Sequence, residues 1–449
     1  MHFISLEYWL FFAATFVVYY LLRGTRQLRW VVLCSVVFYA LYKPAYVGIL
    51  AAQLAIDYAA GMAIARSSTY KKAWLLASIG SNLALLFAFK YLGWALGLVG
   101  IDFALAATVP LGLSFHTFQG IAYTIDVYKG RFVAERNFWR FSQYIFFFPQ
   151  LVAGPIERPG HFMPQITFKP FLPLNLIAGG RLVLWGLVQK MVVADRLALL
   201  ADPVFSGHQT YSAFGTLLGV LAFTVQIFAD FSGYTDIARG CARMLGYTLI
   251  DNFANPYGAT SITDFWRRWH MSLSSWFRDY VYIPLGGNKL PLAGWAAAIL
   301  LVFALSGLWH GAQTTFLVWG LYHGLLLIIE RVAKPSRAVT QWLTLPLVAI
   351  GWVFFRAADL PFALHIFSTL GGPWHMPQGG AGAEFAAAGN IGLAGFFALF
   401  FLLAHGYKNQ VSYWLKQAPL ARWALYFLAI ALILFFSPVA NPAFIYFQF

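Results

Sequence analysis

The chain has 449 residues, 60% of them hydrophobic and only 10% charged, with a mean hydropathy of +0.68. Soluble domains carry about 25% charged residues, so a soluble globular protein is excluded. No hydrophilic block is long enough to form a separate domain, and a single all-α polytopic transmembrane domain over residues 1–449 is expected. Lys plus Arg number 30 and Asp plus Glu 16, a formal charge of +14; basic cytoplasmic loops account for this in a membrane protein, and nucleic acid is not an expected partner.

The start of the chain, MHFISLEYWLFF, lacks a basic region and a small-residue cleavage site, so Leu6 to Leu22 reads as a retained first span. Arg23, Arg26 and Arg29 follow it on the cytoplasmic side. Trp30 to Tyr42 and Ala45 to Ala65 flank a short turn at Lys43-Pro44. Arg66, Lys71 and Lys72 return to the cytoplasm, and Ala73 to Val99 crosses again, which places the N-terminus outside. Pro110 to Tyr128 is apolar but carries Ser114, His116, Thr117, Gln119 and Asp126, a pattern that suits burial in protein rather than contact with lipid. Arg131 to Arg140 reads as a polar cytoplasmic loop. Phe141 to Ala153 is about half a bilayer long and runs into GPIERPGHFMPQI, where Pro155, Pro159 and Pro164 break helix, so a re-entrant or broken segment is expected. Leu172 to Val193 and Ala213 to Ala229 are further spans. In Phe228 to Arg243, Asp236 and Arg239 stand three residues apart and can pair.

Ser261 to Lys289, SITDFWRRWHMSLSSWFRDYVYIPLGGNK, differs from its surroundings. Ser261 and Asp264 have the spacing of a capping box. Read as one helix, it sets Arg267, Met271, Ser274 and Arg278 on one stripe with His270 beside it, and Phe265, Trp269, Leu273 and Trp276 on the other side. Such a helix lines a cavity, lies at the interface or does chemistry. Ala293 to Leu308 and Thr315 to Glu330 then flank a break at Trp309-His310-Gly311. Arg331, Lys334 and Arg337 mark another cytoplasmic loop. Leu343 to Phe355, Ile391 to His405 and Ala421 to Phe436 complete the set, and the Gly- and Ala-rich Gly371 to Gly389 reads as an outside loop. The total is about 11–13 membrane-embedded helices.

His310 and His270 stand out as chemical groups. Ser306, Gly307 and Gly311 clear space around His310, and Trp309 and Gln313 can wall a pocket there. An imidazole titrates near 6.5 and serves as a general base at neutral pH. There is no Gly-x-Ser-x-Gly elbow and no His-Glu-x-x-His helix; histidines without a protein nucleophile fit deprotonation of a substrate hydroxyl. His116, His161, His208, His323, His365, His375 and His405 lack ligand spacing, and Cys34 and Cys241 lie in apolar sequence, so no metal site or disulfide framework is expected. The rival class is a proton-coupled transporter, with Asp57, Asp230, Asp236 and the histidines as a relay. Against it, the polar residues gather around broken and interfacial helices.

The segments PQLVAGPIERP, DFSGYTDIARG, DFWRRWHMSLSSWFRDYVYIPLGG and SGLWHG resemble the membrane-bound O-acyltransferase family, within it the bacterial alginate O-acetyltransferase membrane subunits, with the teichoic acid D-alanyl transfer proteins as near relatives. The resemblance is most specific from Tyr144 to Gly324, within a motif-rich core at 110–330. It implies a ring of helices around a tunnel, with the family's near-invariant histidine at His310 and its second histidine at His270. It also implies a cytoplasmic thioester donor, acetyl-CoA or an acylated carrier, with no tightly bound cofactor. His270 would orient the thioester or stabilise the oxyanion. Arg267, Arg268 and Arg278 would either meet a phosphate-bearing donor or anchor the segment at the membrane interface, with Ser274, Trp309 and Asp236 as further candidates. Extracytoplasmic acetyl-transfer proteins, membrane lipid and a bacterial inner-membrane location complete what it implies. The polymer would be alginate, with cellulose, peptidoglycan or teichoic acid D-alanylation as alternatives.

Overall fold

The computed structural model describes residues 3–101, 112–151, 154–207, 211–372, 374, 390–407 and 417–436. Among these residues there are helices and no strands. Eight helices are long and apolar enough to cross a membrane, and Leu6–Leu21, Leu360–Leu370 and Ile391–Gly406 are shorter apolar helices. The expected start at Pro110, the residue Ala153 and most of the Gly371 to Gly389 loop lie outside the described residues.

Two compact units organise the chain: residues 1–183 with 235–251, and residues 184–234 with 252–449. In the first, Pro44–Arg66, Lys71–Leu86 and Leu113–Tyr128 pack on one another. Their shared interior is polar. Asp57, 1% exposed, accepts from the Ser78 hydroxyl at 2.7 Å and from the Asn82 amide at 2.7 Å. A Cβ on Gly120 would lie 2.0 Å from the Asp57 carboxylate, so only glycine lets this helix approach so closely. A buried acid held by neutral donors fixes the packing of three helices, which explains Asp57 without a proton relay.

The proline-broken segment is tied down within the same unit. The Phe138–Phe146 helix stops at Phe147, and a single turn follows at Phe148–Leu151. Beyond it, buried Glu157 accepts the Ile250 N–H at 2.7 Å and faces the His161 imidazole at 2.7 Å. Gln165 exchanges two bonds with the Thr248 backbone, at 2.9 and 2.8 Å. Its hydrogen bond to Glu157 holds the His161 pKa above the usual imidazole value against partial desolvation. A raised folded-state pKa gives stability that is full below the unfolded value and lost as pH rises through the folded one. Wild-type protein should therefore melt above the His161→Gln variant at about pH 5.5. The gap between their thermal midpoints in detergent should shrink as pH rises past the imidazole range. A gap that widens with pH contradicts the assignment.

Two expected boundaries shift. The span read as ending at Val193 continues as Pro173–Phe205, with a π-helical stretch at Val188–Ala194. Ala213 to Ala229 and the polar segment after it form one helix, Ala213–Met244. Charge pairing explains both. Lys190 lies 2.7 Å from each of Asp195 and Asp230, so acids that look like span ends are neutralised in the interior. The short helix Leu360–Leu370, capped by Asp359 accepting the Phe362 N–H at 2.8 Å, has no counterpart in the sequence reading.

In the second unit, Leu292–His310 and Thr314–Ala333 form a tight hairpin. A Cβ on Gly307 would lie 2.2 Å from the Phe316 carbonyl oxygen, and one on Gly320 would lie 2.1 Å from that of Phe303. Small residues at facing positions let the two backbones touch. Arg337–Arg356 packs on the hairpin's second helix, and Phe265, Trp269, Trp319, Trp352 and Phe355 pack ring against ring as one aromatic cluster, each at most 1% exposed.

Candidate active site

Ser261 starts the polar segment as expected: its hydroxyl accepts the Asp264 N–H at 3.1 Å. The reciprocal bond differs from a standard capping box, since the Asp264 carboxylate reaches back to the Thr260 N–H, at 3.0 Å. A partner missed in the sequence completes the cap. Glu330 accepts from the Ile262 N–H at 2.7 Å and from the Thr263 hydroxyl at 2.5 Å. A carboxylate at a helix start satisfies otherwise unpaired N–H groups.

The expected continuous helix does not form. One helix runs Ile262–Arg268 and a second Met271–Phe277, followed by a π-helical turn at Arg278–Tyr282. Trp269 is extended, and His270 has φ 42° and ψ 53°, the left-handed region. Residues 252–254 provide the physical reason. The Ala254 N–H donates to the Arg268 carbonyl at 3.0 Å, and the Met271 N–H donates to the Asn252 carbonyl at 2.9 Å, so bonds that would continue the helix go to another strand of backbone. The two faces survive the break. Phe265, Trp269, Leu273 and Trp276 are all buried, while Arg267, Met271, Ser274 and Arg278 all line one cavity.

Trp309 and His310 do not form the break expected of them. They are the last two residues of the helix, and the chain leaves it at Gly311. That glycine is required for space and not for its backbone angle: a Cβ there would lie 2.1 Å from the Phe316 ring, while its φ of −162° suits any residue. The helix end delivers His310 into an aromatic wall, its ring centroid 5.2 Å from Trp319 and 5.2 Å from Phe355. His270 comes to the same place from the kink, with the two imidazole centroids 6.1 Å apart. Trp309 lies against both, at 5.8 Å from His270 and 4.9 Å from His310. His270 is 1% exposed and His310 6%. Burial pulls the His270 pKa down to about 3, so this imidazole is neutral at physiological pH, with a proton on one ring nitrogen and a lone pair on the other.

The cavity holds about 660 Å³. Trp295, Ile299, Val302 and Phe303 give it an apolar wall, and Arg267, Arg278 and Arg331 are the cations on it. Neither histidine lines it, but Met271 follows His270 directly and Ser306 stands one turn before His310, and both do. The Ser274 hydroxyl donates to the Trp269 carbonyl at 3.2 Å. Of the candidate arginines, Arg278 pairs with Asp279 at 2.7 Å and Arg268 turns to Asp264 at 2.8 Å, away from the lining. Asp236 belongs to the first unit, where Arg239 holds it at 2.9 Å and also pairs with Asp251. Arg331 was legible only as a loop cation; its guanidinium stacks 4.0 Å over the Trp295 ring. Among the described residues no three or more His, Cys, Asp or Glu side chains gather as a metal site would need.

A buried pair of histidines beside an apolar cavity with cationic residues can deprotonate a hydroxyl and accommodate an anionic, partly apolar reactant. Known proteins give the same direction. Residues 135–358 match the profile of the membrane-bound O-acyltransferase family. A probable alginate O-acetylase of Pseudomonas putida is 36% identical over 388 residues, 82% of this chain and 80% of the relative. Another, of Pseudomonas aeruginosa, is 35% identical over 432 residues, covering 91% and 82%. A peptidoglycan O-acetyltransferase of Helicobacter pylori is 33% identical over 386 residues, covering 76% and 73%.

Proposed function

We propose, because the chain belongs to the membrane-bound O-acyltransferase family, that this membrane O-acyltransferase moves an acetyl group from a cytoplasmic thioester to a hydroxyl, for O-acetylation of an exported polysaccharide, alginate. The observation that carries the reading is the pairing of His270 and His310, 6.1 Å apart, next to a cavity with cations on its wall. His310 takes the proton of the acceptor hydroxyl as its oxygen attacks the thioester carbonyl carbon. The neutral His270 donates a hydrogen bond to the oxyanion that develops. The carbon–sulfur bond then breaks, and the proton on His310 goes to the departing thiolate. No cofactor is consumed; acetyl-CoA or an acylated carrier is the donor substrate. The immediate acceptor is a serine of an extracytoplasmic partner protein, which passes the acetyl group to the polymer. The location is a bacterial inner membrane.

Arg267, Arg278 and Arg331 bind the donor's phosphates in this reading. Arg278→Gln should raise the donor KM about three- to tenfold with kcat little changed, a modest effect because the side chain is 61% exposed and screened. An unchanged KM, or a loss confined to kcat, removes Arg278 from donor binding.

The polymer is tested by mass spectrometry of the extracellular polysaccharides with and without the gene. Loss of O-acetyl from alginate is the expected result. Loss from peptidoglycan alone would move the chain to the chemistry named for the Helicobacter relative, with the site unchanged.

A further inference from the structure

His270 occupies a backbone conformation that disfavours any residue with a Cβ, and such a conformation persists only where its surroundings fix it. Of the described residues other than glycine, three have positive φ: Asn255, His270 and Lys334. Lys334 caps a helix end and Asn255 precedes the Pro256–Gly258 turn. His270 stands between two helices, at a point where nothing in its own sequence calls for a kink.

Asn252 lies opposite that kink and holds its outgoing side. Its carbonyl accepts the Met271 N–H at 2.9 Å. Its side-chain oxygen accepts the Ser272 hydroxyl at 2.7 Å and the Ser272 N–H at 3.3 Å. Asn252 and Ser272 are each 1% exposed, so water does not substitute for these bonds. Two residues on, the Ala254 N–H holds the incoming side through the Arg268 carbonyl. Phe253, between them, packs its ring 5.0 Å from Trp269 and 5.0 Å from Phe231, and Phe231 in turn lies 4.8 Å from the His270 ring. The backbone of His270 is thus clamped on both sides and its ring backed from behind.

We propose that Asn252 is a positioning residue for acyl transfer: its two oxygens lock the left-handed turn that sets the His270 imidazole 6.1 Å from that of His310. The chemistry of the side chain fits the task. Asn offers a neutral acceptor on a short stem. Alanine leaves the Ser272 donors unpaired in a buried site, and aspartate would bury a charge. Asn252 touches no reacting atom and acts only through His270. The inference therefore rests on the role given to His270 under the proposed function.

The test is a double-mutant cycle on purified, detergent-solubilised full-length protein, with acetyl-CoA as donor and rates normalised to folded protein. His270→Ala should lower kcat at least tenfold, the order of one lost oxyanion or proton-transfer contact. Asn252→Ala should lower kcat about tenfold with the donor KM within about twofold, and should have no further effect on kcat in the His270→Ala background. Ser272→Ala removes part of the clamp and should fall between wild type and Asn252→Ala. This ordering decides the matter where the double variant is too slow to follow or Asn252→Ala does not fold. A full effect of Asn252→Ala in the absence of His270, or a Ser272→Ala enzyme with unchanged kcat, overturns the proposal. Full activity of His270→Ala would overturn the role of His270 itself, a separate failure.

Discussion

Replacing His310 with Ala should abolish acetyl transfer while leaving the amount of folded protein unchanged. A positioned general base contributes about 10²–10⁴ in rate, and among the described residues His270 is the imidazole that packs against the His310 ring. His270 is the nearest candidate, but it is buried deeply enough to be a very weak base. The His310 ring is also packing material, wedged between Trp309, Trp319 and Phe355, so truncation to Ala removes volume as well as chemistry. His310→Gln keeps most of the volume and still cannot act as a base at neutral pH. Both variants should be inactive, with His310→Gln melting closer to wild type. An active His310→Gln enzyme would mean that the ring serves packing alone. The measurements are O-acetyl content of the secreted polymer and the thermal midpoint of each purified variant.

The largest stability effect is expected at Lys190. Its ammonium lies 2.7 Å from both Asp195 and Asp230, and all three side chains are at most 4% exposed. Removing one partner from a buried ionic group costs about 3–5 kcal/mol, because the remaining charge stays buried. Lys190→Met leaves two carboxylates facing each other with their common cation gone, so little monodisperse protein should survive extraction. A triple variant, Lys190→Met with Asp195→Asn and Asp230→Asn, removes the charge altogether and should recover most of the yield, since neutral replacement of a buried ionic group is often tolerated. Equal yield of wild type and Lys190→Met would show that the cluster is open to water. The same pairing bears on the transporter alternative. Asp57, Asp230 and Asp236 were the acids for a proton relay, and each is engaged locally: Asp57 by Ser78 and Asn82, Asp230 by Lys190, and Asp236 by Arg239.

Much of this architecture is legible in the sequence because the membrane simplifies it. Apolar length sets the spans, and the hairpin Leu292–His310 with Thr314–Ala333 falls within a few residues of its expected limits. The two faces of the Ser261 to Lys289 segment are also correct, down to the four residues of its cavity stripe. The kink at His270 was hidden because its cause is not local. A helical wheel knows only the segment's own residues, and the bonds that break the helix come from Asn252 and Ala254. The extent of Pro173–Phe205 was hidden for a related reason. Asp195 looks like a span end until Lys190 is placed beside it in space. Glu330 and Arg331 read as a loop boundary because charge at a span end has an ordinary explanation, and only the fold turns them toward the cavity. The break read at Trp309-His310-Gly311 narrows to its last residue, since the helix runs through His310 and the chain leaves it at Gly311.

In the proposed reaction this protein transfers an acetyl group from sulfur to oxygen, with His310 as the base. The most direct measurement uses purified protein in proteoliposomes, supplied with acetyl-labelled acetyl-CoA and a hydroxyl acceptor, and scores alkali-labile label on the acceptor against label crossing the membrane as free solute. Wild type should form ester and His310→Gln none, with thiol release matching the ester formed. Label that accumulates across the bilayer without a thioester being cleaved, or ester formed equally by His310→Gln, would contradict the proposed reaction.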